Sequence, residues 1–488
     1  MADSTVDAAA APAWEYSPAP ESVRVEVPER TQLFIGGRFV EPKSGKRFAS
    51  VNPATEETLS RIAEGGPADV DLAVRAARKA LGPWSRLPAV ERAKLMFRIA
   101  RRIQERSREL AVLETMDGGK PIKESRDFDV PLAAHHFFHH AGWCDKLRYA
   151  VPGGGEPRPV GVCAQVIPST FPLLMAAWKI APALACGNTV VLKPAETTSL
   201  TAIRLAEILQ ECGLPPGVVN VVTGAGATGR ALVEHPGVDK VAFTGSTEVG
   251  KRIAKACAAR GTRLTLELGG KSPNIVFADA AIDQAVEGIV QGIWFNQGHV
   301  CCAGSRLLVE ESVLPEVLRK LEMRMASLRV GDPLDKNTDV GAINSRGQLE
   351  TITGYLEAGE REGCRVVRPG VHPLPSRGFW CRPAFLAGVE PSHVVAREEI
   401  FGPVLAVMSF RTPEEAIQRA NNTPYGLAAG VWTEKGSKAF EAARRLQAGV
   451  VWCNTYNQFD ATSPFGGFKE SGFGREGGMQ GLAAYLSA

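Results

Sequence analysis

Hydrophobic and polar positions alternate with different periods along the chain, and the changes of period mark its elements. Between residues 32 and 63 short apolar runs predict strands, with Gly36 and Gly37 at the turn of a hairpin. From Pro67 apolar residues recur three and four positions apart, which predicts helices as far as Glu114. From 159 to 270 runs of strand length alternate with helical stretches. This alternation predicts a parallel sheet in right-handed βαβ units.

A second alternating series extends from about 274 to 455, so we expect two αβ lobes with a cleft between them. The residues before about 30 are rich in Ala and Pro and predict a flexible tail. They lack the basic start and the apolar stretch of a signal peptide, and we therefore expect a cytoplasmic protein.

Composition narrows the classes of function. A chain of 488 residues is long enough for about three domains. Its 56 Lys and Arg against 53 Asp and Glu give a net charge of +3, which is too balanced for a nucleic-acid partner or a membrane anchor. The apolar stretches are too short to span a bilayer. The ten cysteines are scattered without a CxxC pair, which indicates a reducing compartment rather than a disulfide framework.

Two glycine-containing loops follow strands and precede helices, which is the context of a dinucleotide site. Gly224, Gly226 and Gly229 form GxGxxG, and one unit later Gly245 and Ser246 end a strand in FTGSTEVG. Glycines at such places also make ordinary tight turns. Spacing alone therefore leaves open which loop contacts a nucleotide, and Glu248 fits the acid expected after the fingerprint only poorly.

A cysteine and a glutamate stand out as candidates for covalent catalysis. Cys301 follows an apolar helical pattern in NQGHVCCAGSR, where the polar and glycine neighbours indicate a loop. A buried cysteine is more often a small core residue than a nucleophile. Glu267 ends the apolar strand RLTLELGG, and burial there raises the pKa of a carboxyl, which suits a general base.

Four of the eight histidines lie in HHFFHH, residues 135–140. His135 with His139, and His136 with His140, have the i,i+4 spacing of metal ligands on one helix face. Asp145 is the acid nearest to the run, and HExxH is absent. A packed or half-exposed helix is favoured, and we predict no metal.

Taken together, six motifs resemble those of the NAD(P)-dependent aldehyde dehydrogenase superfamily, in its order and spacing from about residue 31 to 486. They are VVLKPAE (190–196), FTGSTEVG (243–250), LELGGKSPNIVF (266–277), NQGHVCCAGSR (296–306), EEIFGPVL (398–405) and PFGGFKESGFGRE (464–476). The resemblance implies an α/β fold with a Rossmann-like cofactor lobe, a catalytic lobe and an oligomerisation arm. It places the NAD-binding domain at 31–140 and 158–267, the catalytic domain at 268–462, and the arm with the C-terminal segment at 141–157 and 463–488, after a tail at 1–30.

The resemblance also assigns chemistry to residues. Cys301 matches the nucleophile and Glu267 the base that activates the deacylating water, while Lys179 and Glu476 match a pair that passes protons from that base. The cofactor is NAD, because an acid at Glu196 beside the ribose repels the 2′-phosphate of NADP. The residues expected to contact NAD are Ile167, Pro168, Lys193, Glu196, Gly226, Gly229, Phe243, Gly245, Ser246, Val249, Leu268, Glu399 and Phe401.

Two features depart from the family pattern. Where the family reads Ile-Pro-Trp-Asn-Phe-Pro, this chain has Ser169 and Thr170 in place of Trp-Asn, so that Thr170 replaces the amide of the oxyanion hole. Losing one such donor costs about 10²- to 10³-fold in rate, and we expect an active but slow enzyme. The arm is shortened around the PGGG segment, and the usual final strand is missing. We expect a homo-oligomer and favour a dimer.

The leading interpretation is oxidation of a small-molecule aldehyde to a carboxylic acid, through a thiohemiacetal and a thioester on Cys301. A catalytically impaired, cofactor-binding or scaffolding homologue is the alternative that Thr170 motivates. A coenzyme-A-acylating enzyme is disfavoured, because thiolysis does not need the base Glu267. By family placement, the aldehyde tunnel is apolar and is lined by Phe171, Met175, Trp178, Phe295, Val300 and Phe465.

Overall fold

A computed structural model describes residues 17–151, 155–370 and 373–487. Residues 17–30, the described part of the predicted tail, lie against the body: Pro20 pairs with Asp335, and the Glu21 carboxylate bonds Arg108. Residues 1–16 and most of the PGGG segment lie outside the described residues. Within these ranges, no helix is long and apolar enough to cross a membrane.

The first half of the described chain forms an eight-stranded sheet. In spatial order its strands are Arg38–Val40, Leu33–Ile35, Val219–Val221, Thr189–Lys193, Val162–Val166, Lys240–Thr244, Arg263–Glu267 and Gly472–Phe473. The five central strands are parallel, whereas the hairpin at one edge and Gly472–Phe473 at the other are antiparallel. Gly36 and Gly37 both have positive φ, as a tight hairpin turn requires.

The parallel strands have the order of a dinucleotide-binding sheet. The first of them along the chain, Val162–Val166, lies in the middle, with the next two on one side and the last two on the other. At such a reversal the loops at the carboxyl ends of neighbouring strands diverge and leave a crevice. The residues that follow Val162–Val166 and Lys240–Thr244 border this crevice.

The second sheet has seven strands within the described residues. They are, in spatial order, Arg365–Val367, Ala384–Ala387, Val404–Phe410, Arg306–Glu310, Pro273–Val276, Ala428–Trp432 and Val450–Cys453. All neighbouring strands are parallel except the first pair. Glu267 ends a strand of the first sheet, and Pro273 begins the second sheet. A short link therefore joins the carboxyl edge of one sheet to the amino edge of the other.

Helices cover both sheets, as burial of the nearly all-apolar parallel strands requires. The longer ones are Pro67–Arg86, Ala89–Glu105, Ser107–Gly118, Val130–Ala141, Pro172–Ala185, Leu200–Glu211, Gly226–Val233, Thr247–Ala258, Ile282–Ile293, Leu314–Ala326, Arg346–Arg361, Pro413–Asn421, Gly436–Arg445 and Gly478–Ala483. A π-helical segment, Ser125–Asp129, precedes Val130–Ala141. Pro172–Ala185 is buried along its whole length, because it lies between the first sheet and other helices.

A small part of the predicted arm is present as a two-stranded sheet. Leu486–Ser487 pairs antiparallel with Arg158–Pro159. A short final strand therefore exists where the sequence predicted none, because the backbone after Gly478–Ala483 reaches the extended segment that precedes Val162. The predicted domain boundaries stay a proposal. Gly472–Phe473, from the segment assigned to the arm, joins the first sheet beside Glu267.

Candidate active site

Two adjoining cavities lie between the carboxyl edge of the first sheet and the amino edge of the second. The inner one has a volume of about 320 Å³, and the outer one is a groove of about 980 Å³. Both cavities are lined by Pro168, Ser169, Thr244, Gly245, Ser246, Gln348 and Phe401. These shared residues form the junction between the cavities.

The residues predicted for catalysis and for the cofactor come together at these cavities. Cys301, Glu267, Thr170 and Glu476 line the inner cavity, and Lys179 forms an ion pair with Glu476 from behind the wall. Leu268 and Glu399 line the inner cavity as well. The other predicted cofactor residues line the groove: Ile167, Pro168, Lys193, Glu196, Gly226, Gly229, Phe243, Gly245, Ser246, Val249 and Phe401.

A tight loop presents Cys301 to the inner cavity. Asn296, Gln297 and Gly298 all have positive φ, so the chain turns sharply after the helix Ile282–Ile293. A Cβ at Gly298 would collide with the backbone of Gly402. Cys301 is partly exposed, whereas its neighbour Cys302 is fully buried, and burial raises the pKa of the Cys302 thiol. Of the two thiols, Cys301 is the one that a substrate can reach.

Glu267 is a buried carboxyl whose oxygens accept no hydrogen bond from the described residues. Burial raises its pKa well above the usual value, Glu476 and Cys301 raise it further, and Lys179 opposes the shift. A carboxyl held in this way is a proton acceptor with free lone pairs. Glu476, which forms an ion pair with the buried Lys179, acts on Glu267 through its charge.

The backbone of Thr170 is anchored from two sides. Its carbonyl oxygen accepts hydrogen bonds from Lys120 Nζ and from Asn296 Nδ2, both at 2.8 Å. Lys120 is buried, bonds the carboxylate of Asp129 and lies 3.9 Å from a carboxylate oxygen of Glu114. A buried charge network therefore fixes the Thr170 segment relative to the loop that carries Cys301.

The rest of the inner cavity is apolar. Of the residues predicted for the tunnel, Phe171, Met175, Trp178, Val300 and Phe465 line it. Phe295 packs behind the wall, with its ring 6.1 Å from that of Phe171 and 5.2 Å from that of Phe128. Phe128 and Phe459 complete the wall, and the sequence did not point to them because neither belongs to one of the motifs.

The groove has the features of a dinucleotide site. Lys193 Nζ lies 3.4 Å from a carboxylate oxygen of Glu196, and burial lowers the lysine pKa. Ser246 caps the helix Thr247–Ala258, whose N-terminus lies at the groove, where backbone N–H groups and the helix dipole attract a phosphate. The buried hydroxyl of Thr244, at the junction, has no partner among the described residues. The donor set thus fits hydroxyl and phosphate groups, which are the polar parts of a dinucleotide.

Glu399 and Phe401 precede a strand of the second sheet, where Glu399 lines the inner cavity and Phe401 lines both cavities. The N–H of Gly270 donates to Glu399 at 3.0 Å, and a Cβ at Gly269 would overlap that carboxylate. Burial raises the pKa of Glu399 to about 7, although the Gly270 bond and Lys271 oppose the shift. Phe401 has φ of 59°, a conformation that costs a bulky residue about 1–3 kcal/mol and persists only where its surroundings hold it.

Several residues at the cavities carry no motif. Gln348 and Thr351 reach them from the helix Arg346–Arg361, and His299 and Asn344 line the groove. A polar residue on an amphipathic helix normally faces solvent, so periodicity gives no sign of Gln348 or Thr351.

The histidine run lies on the helix Val130–Ala141, behind the apolar wall. His136 is buried, and its ring stacks on Trp178 with centroids 5.0 Å apart. Burial lowers the pKa of His136 well below its usual value and that of His140 to about 3. In the described part of the chain, no group of three or more His, Cys, Asp or Glu is placed to hold a metal ion.

Comparison with known proteins shows which family the chain belongs to. The model of the family described as "Aldehyde dehydrogenase family" matches residues 39–488. The chain belongs to the aldehyde dehydrogenase family. Its protein relatives include DhaS of Bacillus subtilis (strain 168), 48% identical over 464 residues, which cover 93% of this chain and 94% of DhaS. Human mitochondrial aldehyde dehydrogenase is 46% identical over 466 residues, 93% of this chain and 90% of the human protein.

Solved aldehyde dehydrogenase structures share the fold over nearly the whole chain. The NAD+ complex of the Bacillus cereus enzyme matches with a TM-score of 0.93 and 41% identity, over 96% of this chain and 98% of that one. An indole-3-acetaldehyde dehydrogenase in complex with NAD+ matches with a TM-score of 0.91 and 43% identity, over 96% of both chains. The predicted family and the predicted α/β fold class are confirmed.

Proposed function

We propose that this aldehyde dehydrogenase family member uses NAD to oxidise an apolar aldehyde to a carboxylic acid through a thioester on Cys301. One observation carries the proposal: an accessible thiol and an unpaired, buried carboxyl, Cys301 and Glu267, line one apolar cavity that opens into a groove with a dinucleotide donor set. A cavity with a nucleophile, a base and an adjoining cofactor groove supports covalent catalysis rather than simple binding.

Different residues hold different parts of NAD. Glu196 and Lys193 take the adenosine ribose, the helix that starts after Ser246 faces the pyrophosphate, and Glu399 with Phe401 takes the nicotinamide ribose and ring. These roles follow the family positions: Glu196, Lys193, Ser246 and Phe401 line the groove, and Glu399 lines the adjoining inner cavity. When bound, NAD supplies the acceptor for the hydride of the aldehyde.

Cys301 begins the reaction. The Cys301 thiolate attacks the aldehyde carbon, a carbon–sulfur bond forms, and the carbonyl electron pair moves to oxygen. The hydroxyl of Thr170 and the backbone N–H of Cys301 donate to the developing oxyanion. Collapse of this oxyanion expels the hydride and leaves a thioester on Cys301.

Glu267 completes the turnover. Its carboxylate removes a proton from a water, the resulting hydroxide attacks the thioester, and the carbon–sulfur bond breaks to release the acid and the Cys301 sulfur. The proton then leaves Glu267 by way of the pair Glu476 and Lys179. An unpaired carboxyl with a raised pKa suits this role for two reasons. The raised pKa makes its carboxylate a stronger base, and no hydrogen-bond donor among the described residues occupies its lone pairs.

The apolar wall favours aldehydes without a charged group near the carbonyl. Phe128, Phe171, Trp178, Phe459 and Phe465 surround the approach to Cys301. A charged substrate would lose its hydration there without gaining a partner. A homo-oligomer and a cytoplasmic location stay predictions.

The test is NADH formation by the purified chain with NAD and a panel of aldehydes. The parent and Cys453→Ala, which removes an exposed thiol on the edge strand of the second sheet, should turn over equally, and Cys301→Ala should be inactive. Turnover that survives in Cys301→Ala contradicts the mechanism. Silence of the parent with NAD binding intact favours the scaffolding alternative, and acyl-CoA formed on addition of coenzyme A favours the acylating one.

A further inference from the structure

His299 joins the loop of Cys301 to the segment of Phe401. The imidazole is 4% exposed, and its ring lies nearly parallel to that of Phe401, with centroids 5.5 Å apart and an interplanar angle of 13°. His299 Nδ1 lies 2.9 Å from the carbonyl oxygen of Phe401, and the N–H of Asn344 points at Nε2 from 3.2 Å. Asn296, from the same loop, donates to the carbonyl of His299 at 3.0 Å.

These contacts fix the tautomer of His299. A backbone N–H can only donate, so Nε2 must accept from Asn344 and carry no proton. The ring proton is therefore on Nδ1 and is donated to the carbonyl of Phe401. Burial lowers the pKa of His299 to about 4, although the bond to Phe401 opposes the shift, and the ring stays neutral at neutral pH.

The carbonyl that receives this bond belongs to a residue in a left-handed conformation. Phe401 has φ of 59°, which a bulky side chain adopts only when its surroundings hold it there. Gln348 Nε2 donates to the same oxygen at 3.0 Å, and the ring stacks on His299. His299 thus contributes both a hydrogen bond and a flat surface to the segment that borders both cavities.

We infer that His299 is a positioning residue that holds Phe401 in the orientation in which its ring receives the nicotinamide half of NAD. The inference rests on the proposed function, since it takes from there that Phe401 contacts the nicotinamide. His299 acts through Phe401 and through the loop of Cys301, and takes no part in proton transfer.

The test compares binding of the whole cofactor with binding of the part that lacks the nicotinamide. Dissociation constants for NAD and for ADP-ribose, which lacks the nicotinamide, are measured by calorimetry on the parent, H299N, H299Q and H299L. The Asn amide places an N–H donor where Nδ1 lies, whereas Gln reaches the Nε2 position and leaves the Phe401 carbonyl without that donor. Thermal unfolding of each variant gives the folded fraction.

For H299L and H299Q we expect NAD to bind up to about tenfold more weakly, the loss that one net hydrogen bond supports, with ADP-ribose within about twofold of the parent. H299N should lie within about threefold of the parent for both ligands. If H299L does not fold, the pair H299N and H299Q decides the matter.

Three results overturn the inference: unchanged NAD affinity in H299Q, equal weakening of NAD and ADP-ribose, or H299N as weak as H299Q. Each leaves the proposed function intact as long as the parent binds NAD and turns over aldehyde. A parent that binds neither ligand overturns the proposed function instead, and the inference with it.

Discussion

The side-chain amide of Asn296 lies 2.8 Å from the carbonyl oxygen of Thr170, and this contact joins the loop that carries Cys301 to the loop that carries Thr170. Lys120 Nζ donates to the same oxygen at the same distance. The separation of sulfur and hydroxyl is thus set by backbone anchors rather than by the two side chains themselves. A small misplacement of reacting groups lowers the rate strongly, so we expect loss of either anchor to lower turnover.

Replacing Lys120 should weaken both stability and turnover. Lys120→Met leaves Asp129 and Glu114 without their buried cation, and we expect a loss of about 3–5 kcal/mol in the free energy of unfolding. kcat should fall because Thr170 loses one anchor. Urea unfolding and turnover by the folded fraction measure the two effects. The matched control, Lys123→Met, breaks a half-exposed pair with Asp339 and should cost less than about 1 kcal/mol. An unchanged kcat in folded Lys120→Met would separate the network from catalysis.

Restoring an amide at position 170 should accelerate the first half of the reaction. Thr170→Asn should raise kcat/KM about tenfold or more, because an oxyanion donor is worth about 10²- to 10³-fold and the Thr hydroxyl supplies only part of it. Thr170→Val, similar in shape but without a donor, should lower kcat/KM. Initial rates of NADH formation measure both. If Asn is no faster and Val no slower than the parent, residue 170 does not serve the oxyanion.

The ionisation of Glu399 should appear as a pH dependence of stability. Burial raises its pKa in the folded chain to about 7, above the unfolded value, so the folded state holds the proton to higher pH. The unfolded state then binds fewer protons, and stability falls as pH rises from about 4.5 to about 7. Glu399→Gln lacks this loss, so its free energy of unfolding minus that of the parent should rise by about 2 kcal/mol between pH 5 and 8. Chemical unfolding of both proteins without NAD measures it, and a constant difference across that range would contradict the burial of this carboxyl.

The acid beside Lys193 should decide between NAD and NADP. Glu196→Gln removes a negative charge and frees Lys193 to meet a 2′-phosphate, so kcat/KM for NADP relative to NAD should rise about tenfold. Glu248→Gln is the control, since Glu248 lies in the second glycine-containing motif but pairs with Arg252. Equal effects of the two substitutions would mean that the general charge of the groove, not Glu196, sets the preference.

Much of this arrangement could be predicted from local patterns. The alternation of strands and helices from 159 to 270 predicted the parallel sheet, and the cost of burying a lone Glu267 at a strand end predicted a perturbed carboxyl. The contacts that hold the site could not be read in this way. Lys120 and Asn296 meet at Thr170 only because the fold brings three distant segments together.

The partners of Phe401 illustrate the same limit. His299 was visible only as a polar residue before Cys301, and its hydrogen bonds to Phe401 and Asn344 depend on the packing of two loops. Gln348 lies on an amphipathic helix, where a polar residue is expected to face solvent. Motifs thus pointed to the proposed reacting groups, while the residues that contact and hold them emerged from tertiary structure.

The most direct test of the central claim is to trap the acyl-enzyme. Glu267→Gln keeps the shape of the base but cannot deprotonate water, so incubation with NAD and an apolar aldehyde should release about one NADH per chain and stop. Peptide mass spectrometry should then find one acyl group, on Cys301. Continued turnover of Glu267→Gln, or an acyl group on Cys302 or another residue, would contradict the account.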